Sequence, residues 1–201
     1  LNPTSGKIRF EGQDITRLSM AEMKPLRRQM QIIFQDPYAS LNPRMTVYDT
    51  LAEPLLLHKI VTKKELDGAV CSLMDSVGLS RESVLRYPHE FSGGQRQRIA
   101  IGRAIATKPG FIIADEPVSS LDVTIQAQIL DLLLELVERF NLTMLFISHD
   151  LGVVRYLADR ILVMKEGKLV EHGTVHQVFN SPREVYTQEL LNAIPGRTLT
   201  D

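Results

Sequence analysis

Asp115 and Glu116 close an apolar run, Phe111-Ile112-Ile113-Ala114, and Pro117 follows at once. A short run of this kind, stopped by a turn signal, reads as a buried strand. In open α/β sheets, ligands sit beyond the carboxyl ends of strands. Two adjacent carboxylates there can divide the work of phosphoryl transfer, with Asp115 holding Mg²⁺ through water and Glu116 polarising a water that attacks a γ-phosphate. The plainer alternative is a strand end closed by acidic turn residues.

Other groups stand in comparable places. A second apolar strand ends in Ser148-His149-Asp150. His149 there is placed to reach a terminal phosphate and register its loss, against the alternative of a structural histidine. Gln35 follows a third apolar run, Ile32-Ile33-Phe34, where its amide can ligate Mg²⁺ or hold the attacking water, or simply begin a turn. Ser92-Gly93-Gly94-Gln95 opens a helical stretch. Each glycine costs roughly 1 kcal/mol in a helix relative to alanine. A bare helix N-terminus offers unpaired N–H groups and a partial positive charge, which suits a phosphate. A serine cap with flexible glycines is the alternative, and it accounts for Ser92 more readily than for both glycines.

These residues need elements to hold them. Lys7 to Gly12 reads as a short strand on a turn, and Met30 to Phe34 as a buried strand stopped by Asp36-Pro37. From Thr46 to Ser76 apolar residues recur at three- and four-residue steps, through Leu51, Leu55, Leu66, Val70 and Met74, which predicts helix. Pro88 interrupts the pattern, and the segment opening at Ser92 continues as helix to Ala106. Beyond it come a strand at Phe111, a long amphipathic helix to Phe140 and a strand from Leu142. A helix from Leu151 and a hairpin turning at Glu166-Gly167 follow. Buried strands alternating with helices predict a parallel sheet covered on both faces, an α/β fold. The helices-only stretch is expected to be an insertion. Expected limits are 1–36 for an N-terminal β region, 37–107 for a helical subdomain, 108–180 for the α/β core and 181–201 for a C-terminal extension.

Composition narrows the classes. The 201 residues are 44% hydrophobic and 23% charged with a formal net charge of −1, an ordinary globular balance with no electrostatic case for nucleic acid. The single cysteine, Cys71, excludes an internal disulfide and a cysteine metal cluster. No apolar run approaches the ~18 residues of a membrane span. His172 and His176 have the spacing of a helical metal pair, but Gly173 between them argues for a turn. Leu130, Leu133, Leu134 and Val137 form a core stripe.

Taken together, these segments resemble the ATP-binding subunits of ABC transporters. Ser92-Gly93-Gly94-Gln95 is similar to the family's signature motif, with Phe91 where leucine is usual. Gln35 corresponds to the Q-loop, Phe111 to Glu116 to Walker B, Ser119-Ser120-Leu121-Asp122 to the D-loop and His149 to the switch histidine. The resemblance implies an α/β, P-loop NTPase-like ABC nucleotide-binding domain with an inserted helical subdomain. It implies ATP and Mg²⁺ as ligands, with Asp115 and Gln35 at the metal and Glu116, His149 and Gln35 in catalysis. It also implies a second ABC ATPase subunit, identical or related, closing head to tail so that each signature meets the other's nucleotide, with Asp122 along the interface. Transmembrane permease subunits and, indirectly, a substrate-binding protein complete the expected assembly, peripheral on the cytoplasmic face of the membrane. "FQDPYASLNPRMTVYDTLAEPL" and "YPHEFSGGQRQRIAIGRAI" resemble the oligopeptide/dipeptide importers, a subfamily that includes nickel and glutathione importers. "SPREVYTQELLNAIPGR" is similar to that subfamily's C-terminal extension, departing from it at Glu184-Val185.

One expected part does not occur in these residues. The phosphate loop reads G-x-x-x-x-G-K-[ST], whereas Gly6-Lys7 is followed by Ile8 and preceded at the first-glycine position by Leu1. Gly167-Lys168 is followed by Leu169. The chain is therefore expected to be a fragment lacking the N-terminal part of the domain, inactive alone. The remaining alternatives are a soluble non-transport ABC ATPase and a non-catalytic module lending its signature motif to a partner.

Overall fold

The computed structural model describes residues 3–194, and the chain divides into two compact units between Leu145 and Phe146. Leu1, at the tested first-glycine position, and residues 195–201 of the expected C-terminal extension lie outside the described residues.

The first unit opens with a hairpin, β1 (Arg9–Phe10) and β2 (Gln13–Asp14), paired Phe10 to Gln13. Its two loop residues, Glu11 and Gly12, both have positive φ (47° and 80°), the turn whose twist matches antiparallel strands. Helix α1 (Met20–Gln29) starts at a reciprocal cap in which Ser19 and Glu22 satisfy each other's backbone N–H. Strand β3 (Met30–Ile33) pairs in parallel with β4 (Phe111–Asp115), Met30 to Phe111 through Ile33 to Ala114. With β5 (Thr143–Ile147) they form a sheet in the order β3-β4-β5.

Between β3 and β4 lie only helices: α2 (Pro37–Ser40), α3 (Val47–Leu57), α4 (Leu66–Ser76) and α5 (Gly93–Ile105). The helical pattern across 46–76 is carried by two helices, α3 and α4. Lys59 adopts a left-handed φ of 52° just past α3, and the Thr62 hydroxyl and N–H bond the Glu65 carboxylate before α4. Val47, Leu51, Val70, Met74, Val77, Ile99 and Ile101 are fully buried in this part of the unit. Each large apolar side chain so buried contributes about 1.5–3 kcal/mol. Gly102 lets α5 approach closely, because a methyl there would lie 3.2 Å from Leu51 Cδ2 and 3.5 Å from Val77 Cγ1. Helix α6 (Val123–Phe140) buries Ile129, Leu130, Leu132, Leu133 and Leu136 and ends at left-handed Asn141. Of the expected stripe, Leu130 and Leu133 are buried while Leu134 and Val137 are half-buried, because the buried face is turned toward Leu132 and Leu136.

In the second unit, α7 (Leu151–Leu157) precedes the hairpin of β6 (Arg160–Lys165) and β7 (Lys168–Thr174). Glu166 and Gly167 turn it with positive φ. Helices α8 (Val175–Asn180) and α9 (Val185–Asn192) complete it. Ile161, Val163, Val178, Phe179 and Leu191 make its core. The buried Glu171 carboxylate accepts the N–H groups of Arg183 (2.8 Å) and Glu184 (3.2 Å), so it caps α9, whose own N-cap side chain makes no such bond. Burial pushes Glu171 up, but the Thr187 hydroxyl, the two N–H groups and the Arg183 charge together hold it below the usual carboxylate value.

Candidate functional site

The parallel register that pairs Ile33 with Ala114 carries both strands to the same edge of the sheet. Gln35 and Glu116 emerge there side by side. Gln35 Nε2 donates to Glu116 Oε2 at 2.9 Å and to Ser119 Oγ at 3.4 Å. The Ser119 hydroxyl in turn donates to the Glu116 carbonyl at 3.1 Å. An ionised carboxylate only accepts hydrogen bonds, so the amide nitrogen is the end of Gln35 turned toward it. Asp115, the last residue of β4, is half-buried beside them.

Glu116 has a φ of 44°. A non-glycine residue held there costs of order 1–3 kcal/mol and persists only where its surroundings impose it. Pro117 and Val118, directly after it, are buried. Glu11 and Glu166 adopt a similar φ (47° and 49°) in plain hairpin turns, so what marks Glu116 out is its hydrogen bond from Gln35 across the sheet edge rather than its backbone. Asp115, Glu116 and the Gln35 amide oxygen are hard oxygen donors, the set that suits Mg²⁺. No cluster of three or more His, Cys, Asp or Glu side chains able to hold a metal occurs among the described residues. His172 lies on β7 and His176 on α8, so the pair does not share a helix.

At the N-terminus of α5, Ser92 and Gln95 form a reciprocal cap: Ser92 N–H donates to Gln95 Oε1 at 3.0 Å and Gln95 N–H to Ser92 Oγ at 3.3 Å. This leaves the Ser92 O–H and the first helical N–H groups for a ligand. Ser92, Gly93 and Gln95 are exposed, whereas Gly94 is buried. The two glycines also differ in what surrounds them. A methyl on Gly93 would stand 3.5 Å from Leu121 Cδ2, an ordinary contact; one on Gly94 would stand 2.4 Å from Ile125 Cγ2. Packing alone therefore requires Gly94, while Gly93 keeps an open face.

Ser120 and Asp122 are exposed and Leu121 half-buried in the segment leading to α6. Asp122 is the N-cap of α6, its carboxylate accepting the Ile125 N–H at 3.1 Å. His149 belongs to the second unit, exposed between β5 and α7, and Asp150 after it caps α7 through Gly152 and Val153.

Arg96 and Arg103 of α5 read in the sequence as a solvated helix face, but both are half-buried against α2. Arg103 donates to the Ser40 carbonyl at 2.6 Å, and the Arg96 guanidinium lies 5.3 Å from the Tyr38 ring centroid. Both grip α2, which begins just after Gln35. Burial lowers the Arg103 pKa, and Glu53 opposes that shift. An arginine inside an otherwise apolar helical stripe was the signal. A hollow of about 560 Å³ holds none of the site residues. Its lining includes Lys24 within α1, Arg28 in the last turn of α1, His58 at the C-cap of α3 and Lys108 just past α5. The cations at Arg28 and Lys108 offset the dipoles of those helix C-termini.

The chain belongs to the ABC transporter family, whose sequence profile matches residues 1–119. It is 54% identical to the oligopeptide transport ATP-binding protein OppF of Bacillus subtilis over 96% of this chain and 64% of that protein. It is 53% identical to the dipeptide transport ATP-binding protein DppF of Lactococcus lactis, over 96% of this chain and 62% of that one. The chain thus spans a little under two thirds of these curated relatives. Among solved structures it resembles CbiO1 of Clostridium perfringens, part of the ABC transporter complex CbiONQ. The TM-score is 0.80 and the identity 29%, over 90% of this chain and 70% of that one. It also resembles the ATP-binding cassette MJ0796, a dimer in a post-hydrolysis state with ADP and Pi. There the TM-score is 0.77 and the identity 28%, over 87% of this chain and 75% of that one. The α/β fold is that of an ABC nucleotide-binding domain.

Proposed function

We propose that the complete protein is the ATP-hydrolysing subunit of an importer for di- or oligopeptides or a related small solute, peripheral on the cytoplasmic face of the membrane. The observation that carries this reading is the Gln35–Glu116–Ser119 cluster at the sheet edge, together with an exposed, bare helix tip in the same chain. The names of the relatives, ATP-binding proteins of oligopeptide and dipeptide transport, support the solute class.

In this reading Glu116 orients and deprotonates the attacking water, and Gln35 holds that water from its amide. Asp115, through water, and Gln35 would hold Mg²⁺, which neutralises charge on the transferred phosphoryl group. The tip at Ser92-Gly93-Gly94-Gln95 donates from the Ser92 hydroxyl, the two glycine N–H groups and the Gln95 side-chain amide to the γ-phosphate of ATP held by a second ATPase subunit, identical or related. Such fixed donors act only once the two subunits close. His149 senses that phosphate, and Ser119-Ser120-Leu121-Asp122 runs along the interface. The 37–107 segment serves as the helical subdomain between the sheet and the permease subunits, with 1–36, 108–180 and 181–201 as its β region, core and C-terminal extension.

The test is reconstitution of the complete protein with its membrane subunits and binding protein. Peptide-loaded binding protein should raise ATP hydrolysis severalfold over empty binding protein. Hydrolysis indifferent to peptide would count against the solute class, and no hydrolysis at all against the whole reading.

A further inference from the structure

We infer that Ile125 is a positioning residue for the signature tip, tying it to the cap of the neighbouring helix within one chain. The inference rests on the proposed role of that tip. Asp122 caps α6 by accepting the Ile125 N–H at 3.1 Å. The side chain of the same residue fills the space left by the missing Cβ of Gly94, with Cγ2 2.4 Å from where that carbon would be. Leu121 lies against Gly93, 3.5 Å from its virtual Cβ. Gly94 is the second residue of α5, directly under the Ser92–Gln95 cap. A continuous physical path therefore runs from the Asp122 carboxylate through the Ile125 backbone and side chain to Gly94 and the ligand-facing tip.

This divides the work of the two glycines. Gly93 is bare so that its exposed face can meet a ligand. Gly94 is bare so that α6 can seat the tip, and a displacement of Asp122 at an interface is carried to Ser92 and Gly93. Close-packed interiors transmit such shifts because they have no slack to absorb them.

The path is tested in the complete protein with Gly93→Ala, Gly94→Ala, Ile125→Ala and the double variant Gly94→Ala/Ile125→Ala. Removing the Ile125 γ atoms leaves Cβ as the nearest neighbour, at 3.7 Å, so the double variant relieves the collision. Backbone amide exchange at residues 92–95, read without nucleotide, should quicken at least tenfold in Gly94→Ala and return to within threefold of Ile125→Ala in the double variant. ATP hydrolysis should fall severalfold in Ile125→Ala and at least tenfold in Gly94→Ala, chiefly in kcat, and rise in the double variant to the Ile125→Ala level. Gly93→Ala should leave exchange unchanged and lose hydrolysis. If Gly94→Ala is insoluble, recovery of soluble protein in the double variant reads the same contact. Failure of the double variant to restore exchange or solubility overturns the inference, whatever the activity. Restored exchange in a protein that never hydrolyses ATP leaves the inference standing and removes the proposed function instead.

Discussion

Glu116→Gln separates the catalytic reading of the sheet edge from the structural one. Glutamine matches glutamate in shape, and its amide oxygen can still accept from Gln35 Nε2, which now donates to the carboxylate at 2.9 Å. The loss is the difference between a charged and a neutral hydrogen bond, about 1 kcal/mol. For a chain of this size that lowers Tm by about 2–4 °C. Removing the general base should cut hydrolysis by about 10²–10⁴-fold. The assay pairs thermal melting with steady-state phosphate release on the complete protein. A variant that melts much earlier while keeping a third or more of the parent's activity would refute the reasoning, because Glu116 would then be a structural cap.

Residues 1–201 produced alone should release no phosphate above their own Glu116→Gln control, since no G-x-x-x-x-G-K-[ST] segment is present. Steady turnover by the pure chain would contradict this. Arg103→Met keeps the stem but removes the donor to the Ser40 carbonyl. It should cost about 1–3 kcal/mol and speed amide exchange at Ser40 and Leu41, and unchanged exchange there would dismiss the grip on α2. Glu171→Gln should destabilise the second unit at neutral pH and match the parent in acid. Folding lowers the Glu171 pKa, so its contribution is complete above the ~4.3 of an unfolded glutamate. It is lost as pH falls through the lower folded value. Melting curves displaced equally from pH 7 to pH 3 would argue against that linkage.

Long, strongly patterned elements were legible in the sequence. The eighteen residues of α6 bury a regular stripe, and β4 is an apolar run ending at Asp115. Helix α1 was not, because only Leu26 of its ten residues is buried and Pro25 lies inside it. Its one readable mark was the Ser19 to Glu22 cap. Helices α8 and α9 are short, and α9 is capped from β7 by Glu171 rather than by a neighbour in sequence. At the candidate site, the side-by-side emergence of Gln35 and Glu116 follows from parallel strands. The seat of Ile125 on Gly94 depends on tertiary packing, which no local pattern encodes. Two adjacent glycines look alike in sequence and differ only in what stands opposite each.

The central claim is that the Ser92-Gly93-Gly94-Gln95 tip grips the terminal phosphate of a nucleotide held mainly by another subunit. Amide exchange at residues 92–95 in the complete Glu116→Gln protein, with and without ATP and across protein concentration, measures it directly. The account predicts ATP-dependent slowing that grows with protein concentration and vanishes on dilution. Exchange unaffected by ATP, or slowed equally at every concentration, would contradict it.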